Sequence, residues 1–262
     1  MRGLAGLLGV MTVGVLTACG GAASTGASAS SPSSASSPAA ATSPAASPSA
    51  SRSPAPLPTG PNVSGCFTED DGKIFKHSGD LPGVITGDGP VGVVISYERR
   101  GSVCAWRPLS DRLVAAGYRV LLYVRGSSQF PEDATVAMGK RLAKEKGVKR
   151  LFLVGGSIGA TTAVPAALRL EGKVAGVVAL SGQISEENAA RLTVPLLQIG
   201  SENDGYGGAA DLARAHDAAT KAADNQTMVI PGESLHASAL FSSPHGEDVL
   251  DRVVAFMERH KG

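Results

Sequence analysis

From residue 91 onward, short runs of apolar residues alternate with longer stretches in which apolar residues recur every three or four positions. The short runs are typical of buried strands, and the periodic stretches are typical of helices packed on one face. The predicted strands are 91–96, 119–124, 151–154, 173–180, 194–199 and 226–230. The predicted helices are 104–116, 133–146, 158–170, 185–191, 208–223 and 247–259. This alternation indicates an α/β fold with a mostly parallel central sheet and helices on both faces.

The folded domain is predicted to span 62–262, which is long enough for one α/β domain with its own core. Its segment 67–86 is less regular, and we expect it to add antiparallel strands at one edge of the sheet. Of the 24 basic residues only Arg2 and Arg52 lie outside the domain, which leaves 22 against 23 acids. A domain so nearly balanced in charge carries no sign of nucleic-acid binding.

The first residues have the pattern of an export signal. Met1-Arg2 gives a positive start, residues 4–16 are apolar but too few for a comfortable membrane span, and Leu-Thr-Ala-Cys follows at 16–19. This resembles the bacterial lipoprotein signal, which implies a signal peptide at 1–18 and acyl chains on Cys19. The protein is then anchored to the outer side of the bacterial cell membrane. The alternative is a plain secretory signal cleaved near Ala18 or Ala22.

Residues 19–61 form a segment of low complexity. After Cys19 it consists almost entirely of Ala, Ser, Pro, Thr and Gly, with Arg52 as its only charge. Such a segment cannot bury enough apolar surface to offset the entropy lost on ordering. We predict a disordered tether that holds the domain off the membrane.

The chain has three cysteines, Cys19, Cys66 and Cys104. With Cys19 assigned to the lipid, Cys66 and Cys104 are left as a pair. In an oxidising compartment these two are predicted to form a disulfide between the first segment of the domain and the loop after its first strong strand. The alternative is two free, buried thiols.

The strand 151–154 ends in the pattern Gly155-x-Ser157-x-Gly159, directly before the helix 158–170. A serine on such a tight strand-to-helix turn has a strained backbone, and side chains two residues before and after it would collide. Glycine at both places removes the collision. We expect the Ser157 hydroxyl to stand above the sheet edge, although an ordinary glycine-rich turn produces the same pattern in a chain with 33 glycines.

Two further polar side chains follow the last two predicted strands, Asp204 after one and His236 after the other. In a parallel sheet, reactive groups gather at the carboxyl ends of the strands. A nucleophilic serine needs a base within reach, and that base needs a carboxylate to orient it. Ser157, Asp204 and His236 are therefore a candidate triad, with Glu202 as the alternative acid and His245 as the alternative base.

The region from residue 91 to the C-terminus resembles the α/β-hydrolase fold family, in which nucleophile, acid and histidine occur in this chain order. The resemblance implies that Ser157 is the nucleophile, Asp204 the acid and His236 the base. Only residues 181–193 separate the two predicted strands between which this family inserts lids. The resemblance therefore implies an open site with no cap domain.

The same resemblance implies an oxyanion hole. One donor would be the backbone amide of Ile158, and the other a backbone amide near Glu98 or Arg99. The chain departs from many members in two places, since the loop 97–101 reads Tyr-Glu-Arg-Arg-Gly in place of His-Gly and Ala237 follows the histidine in place of glycine. The charged loop either lines the cleft and favours an anionic substrate group or is simply solvated.

These residues predict a serine hydrolase that cleaves an ester, thioester or related acyl bond in a small-molecule or envelope-derived substrate, with no cofactor and no metal. Asp70-Asp71-Gly72 resembles half of a cation loop but lacks further spaced carboxylates, so we interpret it as a turn. The alternative function is a catalytically silent binding module at the cell envelope. A dinucleotide-binding oxidoreductase is disfavoured, because the glycine spacing is wrong and the next strand ends without an acid.

Overall fold

The structure is a computed structural model that describes residues 59–170 and 172–262. The predicted signal peptide (1–18), Cys19 and nearly all of the predicted tether (19–61) lie outside the described residues.

The strands are β1 (Asn62–Val63), β2 (Phe67–Thr68), β3 (Gly72–His77), β4 (Leu81–Thr86), β5 (Val91–Ser96), β6 (Arg119–Tyr123), β7 (Arg150–Gly156), β8 (Val174–Leu180), β9 (Leu196–Ser201) and β10 (Asn225–Ile230). The α-helices are α1 (Arg107–Ala115), α2 (Pro131–Leu142), α3 (Ile158–Arg169), α4 (Glu186–Arg191), α5 (Ala209–Ala218) and α6 (Gly246–His260). Within these ranges no helix is long and apolar enough to cross a membrane.

The central sheet has eight strands in the order β10-β9-β8-β7-β5-β6-β4-β3. The six strands from β5 to β10 run parallel, as the alternation of strands and helices predicts. At one edge β4 pairs antiparallel with β6, and β3 pairs antiparallel with β4. The antiparallel edge predicted from segment 67–86 is thereby confirmed, and β1 and β2 form a separate antiparallel pair.

Helices cover both faces of the sheet because successive strand residues point to opposite sides. In β5, Val93 packs in one core cluster with residues of α1 and α6, whereas Val94 packs in a second cluster with residues of α2 and α3. All seven residues of β8 are buried. A strand buried on both faces in this way is typical of a parallel sheet.

Three helices differ from their predicted bounds by more than two residues. The helix predicted at 133–146 is α2, which spans Pro131–Leu142 and ends four residues earlier than predicted. The helix predicted at 104–116 is preceded by a 3-10 turn, Val103–Trp106, and α1 begins only at Arg107. Pro108 suits this first turn because it has no N–H group to leave unpaired. The helix predicted at 208–223 ends at Ala218, where the Asn225 side chain donates to the His216 carbonyl at 2.8 Å and satisfies the last turn.

The predicted disulfide is present between Cys66 and Cys104, with an S–S distance of 1.99 Å. Cys66 lies between β1 and β2, and Cys104 lies in the 3-10 turn before α1. The bridge thus fastens the first described segment to the chain that follows β5.

Candidate active site

Ser157 lies between the end of β7 and the start of α3, with φ 53° and ψ −118°. Positive φ is rare for a residue with a side chain, and it persists only where the surroundings enforce it. Here the Ser157 amide donates to the Leu180 carbonyl at 2.9 Å, and the Ser157 carbonyl accepts from the Thr161 amide at 2.8 Å. The turn is therefore fastened to the neighbouring strand on one side and to its own helix on the other.

The two glycines beside Ser157 have a steric role. A Cβ atom on Gly155 would lie 2.3 Å from the Gly159 carbonyl carbon, and a Cβ atom on Gly159 would lie 1.9 Å from the Ser96 carbonyl oxygen. Both clashes are with backbone atoms, which cannot move aside as a flexible side chain can. The spacing Gly-x-Ser-x-Gly is thus required by the close packing of α3 against β5 and β7.

A buried polar cluster lies beneath this turn. The Ser96 hydroxyl is 2.9 Å from the Tyr123 hydroxyl and 2.9 Å from the Thr135 hydroxyl. Burial raises the pKa of the Tyr123 hydroxyl, so the group stays protonated. The cluster anchors the end of β5 just before the loop 97–101.

Asp204 and His236 follow β9 and β10 and are in direct contact. The distance from His236 Nδ1 to Asp204 Oδ2 is 2.7 Å. The Asp204 side chain is 6% exposed, and the His236 side chain is 34% exposed. Since an ionised carboxylate only accepts hydrogen bonds, Nδ1 carries the ring proton and Nε2 keeps a lone pair that can accept another. The other Asp204 oxygen, Oδ1, accepts from the Tyr206 amide at 3.0 Å.

The two alternative residues lie elsewhere. Glu202 Oε2 accepts from the Gly232 amide at 2.7 Å. This hydrogen bond holds the Glu202 carboxylate at the turn after β10. His245 Nε2 is 3.8 Å from Glu233 Oε1, at the start of α6. Neither residue lines the cleft that contains Ser157. The geometry therefore favours Asp204 and His236 over these two.

Ser157 and His236 line a common cleft of about 700 Å³. The other lining residues are Glu98, Arg99, Arg100, Ile158, Thr161, Ser181, Gln183 and Tyr206. Within the described chain, no hydrogen bond joins the Ser157 hydroxyl to His236. Catalytic hydrogen bonds are commonly long in a free site and shorten once substrate is bound. Ser157, Asp204 and His236 thus lie at the same edge of the sheet, at the carboxyl ends of β7, β9 and β10.

Three backbone amides of cleft residues have no hydrogen-bond acceptor among the described residues. The Ile158 amide is in the first turn of α3 and has no acceptor within that helix. The amides of Glu98 and Arg99 likewise have no hydrogen-bond acceptor among the described residues. The loop is fixed by Arg125, whose guanidinium donates to the Tyr97 carbonyl at 3.0 Å and to the Glu98 carbonyl at 3.5 Å.

Solved structures of similar shape include an esterase of Pyrococcus furiosus, which is 19% identical with a TM-score of 0.63 over 78% of this chain and 100% of that one. A monoacylglycerol lipase of Paleococcus ferrophilus is 17% identical with a TM-score of 0.61 over 69% of this chain and 99% of that one. A dienelactone hydrolase of Anabaena variabilis is 18% identical with a TM-score of 0.58 over 72% and 99%. The chain has the α/β-hydrolase fold. No family model and no curated protein matches its sequence.

Within this α/β-hydrolase fold, sequence reasoning missed two side chains at or near the site. Ser181 lies at the cleft with φ 50°, and its hydroxyl accepts from the Ala237 amide at 3.0 Å. Arg125 supports the loop 97–101 from the chain that follows β6. Both residues follow a strand at its carboxyl end. Since reactive groups gather at the carboxyl ends of parallel strands, the rule that predicted Asp204 could also have found them.

The described residues contain no group of three His, Cys, Asp or Glu side chains arranged to hold a metal ion. The turn Asp70-Asp71-Gly72 instead places the Asp71 carboxylate against the Thr68 amide at 2.8 Å and against Arg107. The Arg107 guanidinium lowers the pKa of Asp71. This carboxylate therefore has a structural role in the turn, in agreement with the interpretation from the sequence.

Proposed function

We propose that the protein is a serine hydrolase that cleaves an ester, thioester or related acyl bond through an acyl-enzyme on Ser157. The observation that carries the proposal is the 2.7 Å contact of His236 Nδ1 with a nearly buried Asp204, beside a strained serine in one cleft. A carboxylate held this way fixes the histidine tautomer and stabilises its cation.

In the first half of the reaction, Ser157 Oγ attacks the acyl carbon while His236 Nε2 takes the hydroxyl proton. The carbonyl oxygen becomes an oxyanion, which the Ile158 amide and an amide of Glu98 or Arg99 stabilise. The bond to the leaving group then breaks, and His236 returns the proton to the departing alcohol, thiol or amine. The acyl group remains on Ser157.

In the second half, water replaces the leaving group. His236 Nε2 accepts a proton from the water as its oxygen attacks the acyl carbon, and the same amides hold the oxyanion. The bond to Ser157 Oγ breaks, His236 returns the proton to Oγ, and the acid product leaves. Asp204 stays ionised throughout and orients the ring.

The similar solved structures give the reaction class some support. Their names are esterase, monoacylglycerol lipase and dienelactone hydrolase, and each of these names refers to cleavage of a carboxylic ester. Identities of 17% to 19% establish the fold alone, so the choice of an acyl ester depends on the geometry at Ser157. We extend the proposal to location, with Cys19 acylated and residues 20–61 tethering the hydrolase to the outer face of the membrane.

The test is intact mass spectrometry of the domain after exposure to a fluorophosphonate, which forms an adduct with an activated serine as fluoride leaves. We expect one adduct on the native domain and none on Ser157→Ala, whose circular dichroism should be unchanged. A folded native domain without an adduct would overturn the hydrolase proposal. That outcome would favour a binding module, for which the unusual loop 97–101 is the specific motivation.

A further inference from the structure

The cleft is lined by two exposed arginines without acidic partners. Arg99 and Arg100 both contribute to its wall, and neither forms an ion pair with any carboxylate among the described residues. By contrast, Arg107, Arg112, Arg169 and Arg214 each pair with at least one acid. The cleft therefore presents two guanidinium groups whose hydrogen-bond donors are available to a ligand.

Glu98, the adjacent acid, is bonded to other groups. Its Oε2 accepts from the Trp106 indole N–H at 2.8 Å, and its Oε1 accepts from the Ser238 hydroxyl. Gly101 allows this arrangement, since a Cβ atom there would lie 2.4 Å from the Glu98 carboxyl carbon. Both oxygens of the Glu98 carboxylate are thus bonded to neutral donors, and neither is paired with Arg99 or Arg100.

A third guanidinium adds to the positive charge of this loop. Arg125 is bonded to two backbone carbonyls and to no carboxylate within the described residues. Together with Arg99 and Arg100 it places three positive charges around the loop 97–101 against the single charge of Glu98. Of the other nearby acids, Asp204 is in contact with His236 and nearly buried, and Asp211, which accepts from the cleft residue Gln183, is paired with Arg214. The entrance is consequently cationic, although the domain as a whole is close to neutral in charge.

Guanidinium groups bind planar or tetrahedral oxyanions through paired N–H donors. The same cleft contains the ring of Tyr206, which is 71% exposed and offers an apolar face to the carbon chain of a ligand. We propose that the cleft selects acyl esters that carry an anionic oxygen group, a carboxylate or a phosphate, bound by Arg99 and Arg100 while the ester lies at Ser157. This inference depends on the proposed hydrolase function for its catalytic step, but its anion site can be tested by binding alone.

The first experiment compares esters that differ only in the remote group. Monomethyl glutarate ends in a carboxylate, methyl 4-phosphonobutanoate ends in a phosphonate, and methyl pentanoate ends in a neutral methyl group. With hydrolysis followed by proton release, we expect kcat/KM for at least one anionic ester to exceed that for the neutral ester about 10-fold, as expected for charge-assisted contacts that stay partly solvated. The better anionic ester identifies the preferred group.

The double variant Arg99→Gln/Arg100→Gln should lower this ratio about 10-fold, and 0.5 M NaCl should lower it in the native protein. Arg191→Gln is the matched control, because Arg191 is exposed at the end of α4 and does not line the cleft. We expect it to leave the ratio unchanged. A native ratio of one or less, or an equal ratio in the double variant, overturns the inference.

A binding measurement separates this inference from the proposed catalysis. Titration calorimetry of glutarate and of 4-phosphonobutanoate into Ser157→Ala protein reports anion binding without turnover. About 10-fold weaker binding after the two arginine substitutions supports the anion site even if no ester is hydrolysed. Equal binding with and without the arginines rejects the site even if Ser157 labels with fluorophosphonate.

Discussion

Ser157 and His236 depend on their neighbours in different ways. Ser157 is held by backbone geometry, since its amide and carbonyl are both bonded and its φ is positive. His236 is held by a side chain, because Asp204 fixes one ring nitrogen and leaves the other for the reaction. We therefore expect proton transfer in the proposed reaction to depend on His236 and on no other histidine.

The substitution His236→Ala removes the proposed general base. We expect kcat/KM for a simple ester to fall by about 100- to 10,000-fold, the usual contribution of such a group. His245→Ala should change kcat/KM less than twofold, because His245 lies at the start of α6 outside the cleft. Steady-state assays of the two variants in parallel make the comparison, and equal losses would contradict the assignment.

At the scale of elements, one carboxylate joins three segments of the site. Glu98 in the loop after β5 contacts Trp106 in the 3-10 turn before α1 and Ser238 in the 3-10 segment Ala237–Ser242. Ser238 is two residues beyond His236. The loop 97–101 is therefore joined by a side-chain hydrogen bond to the segment that follows the proposed base.

Substitutions at the two ends of this contact test the coupling. Glu98→Gln keeps the size of the side chain but replaces a charged acceptor by an amide, and Ser238→Ala removes the donor. We expect each to lower kcat about 10-fold with little change in KM, since Ser238→Ala breaks and Glu98→Gln weakens a hydrogen bond to a charged group worth about 1.5 to 3 kcal/mol. The double variant should lose less than the sum of the two free energies, by about 1 kcal/mol. Strict additivity would show that the contact does not orient the site.

The elements themselves follow well from local sequence. Each parallel strand was predicted within a few residues, because a short apolar run bounded by turn or helix signals is typical of a strand in a parallel sheet. Asp204 and His236 were located because reactive groups gather at the carboxyl ends of parallel strands. The contact of Glu98 with Ser238 spans 140 residues and depends on side-chain packing, so no local pattern could indicate it. The early end of α5 coincides with the hydrogen bond from the Asn225 side chain to the His216 carbonyl, which the helical periodicity does not indicate.

On the scale of the whole molecule, the disulfide closes a loop across the first quarter of the domain. Cys66 and Cys104 are separated by 38 residues. Constraining a loop of that length in the unfolded chain is worth about 4 kcal/mol in the chain-entropy description. The bridge should therefore contribute a large share of the free energy of unfolding, which is about 5–15 kcal/mol for a typical domain.

We expect Cys66→Ser/Cys104→Ser to lower the free energy of unfolding by about 3 to 4 kcal/mol in urea titrations. The domain 62–262 should react with a thiol reagent only after reduction, since both cysteines are partly exposed. Labelling of both cysteines in folded, unreduced protein would show that the bridge is absent in solution, and an unchanged urea midpoint in the variant would show that it does not stabilise the fold.

The proposed lipid anchor is tested at Cys19. In cells, the full chain should incorporate a labelled fatty acid and sediment with membranes, because two or more acyl chains hold a protein stably at a lipid surface. Cys19→Ala should lose the label and appear in the soluble fraction. Fatty-acid incorporation that survives this substitution would contradict acylation at Cys19.

Residues 181–195 between β8 and β9 carry only the six-residue helix α4, so nothing in that segment closes over the cleft. An acyl group on a half-buried Ser157 would then stay in contact with bulk water for its whole lifetime. Sites that protect such intermediates exclude water, and the segment between β8 and β9 supplies no lid that would do so here. Solvent vastly outnumbers any competing alcohol or amine, so the acyl group should pass to water before a second acceptor arrives. The shape of the entrance thus favours release of a free acid over transfer of the acyl group to another molecule.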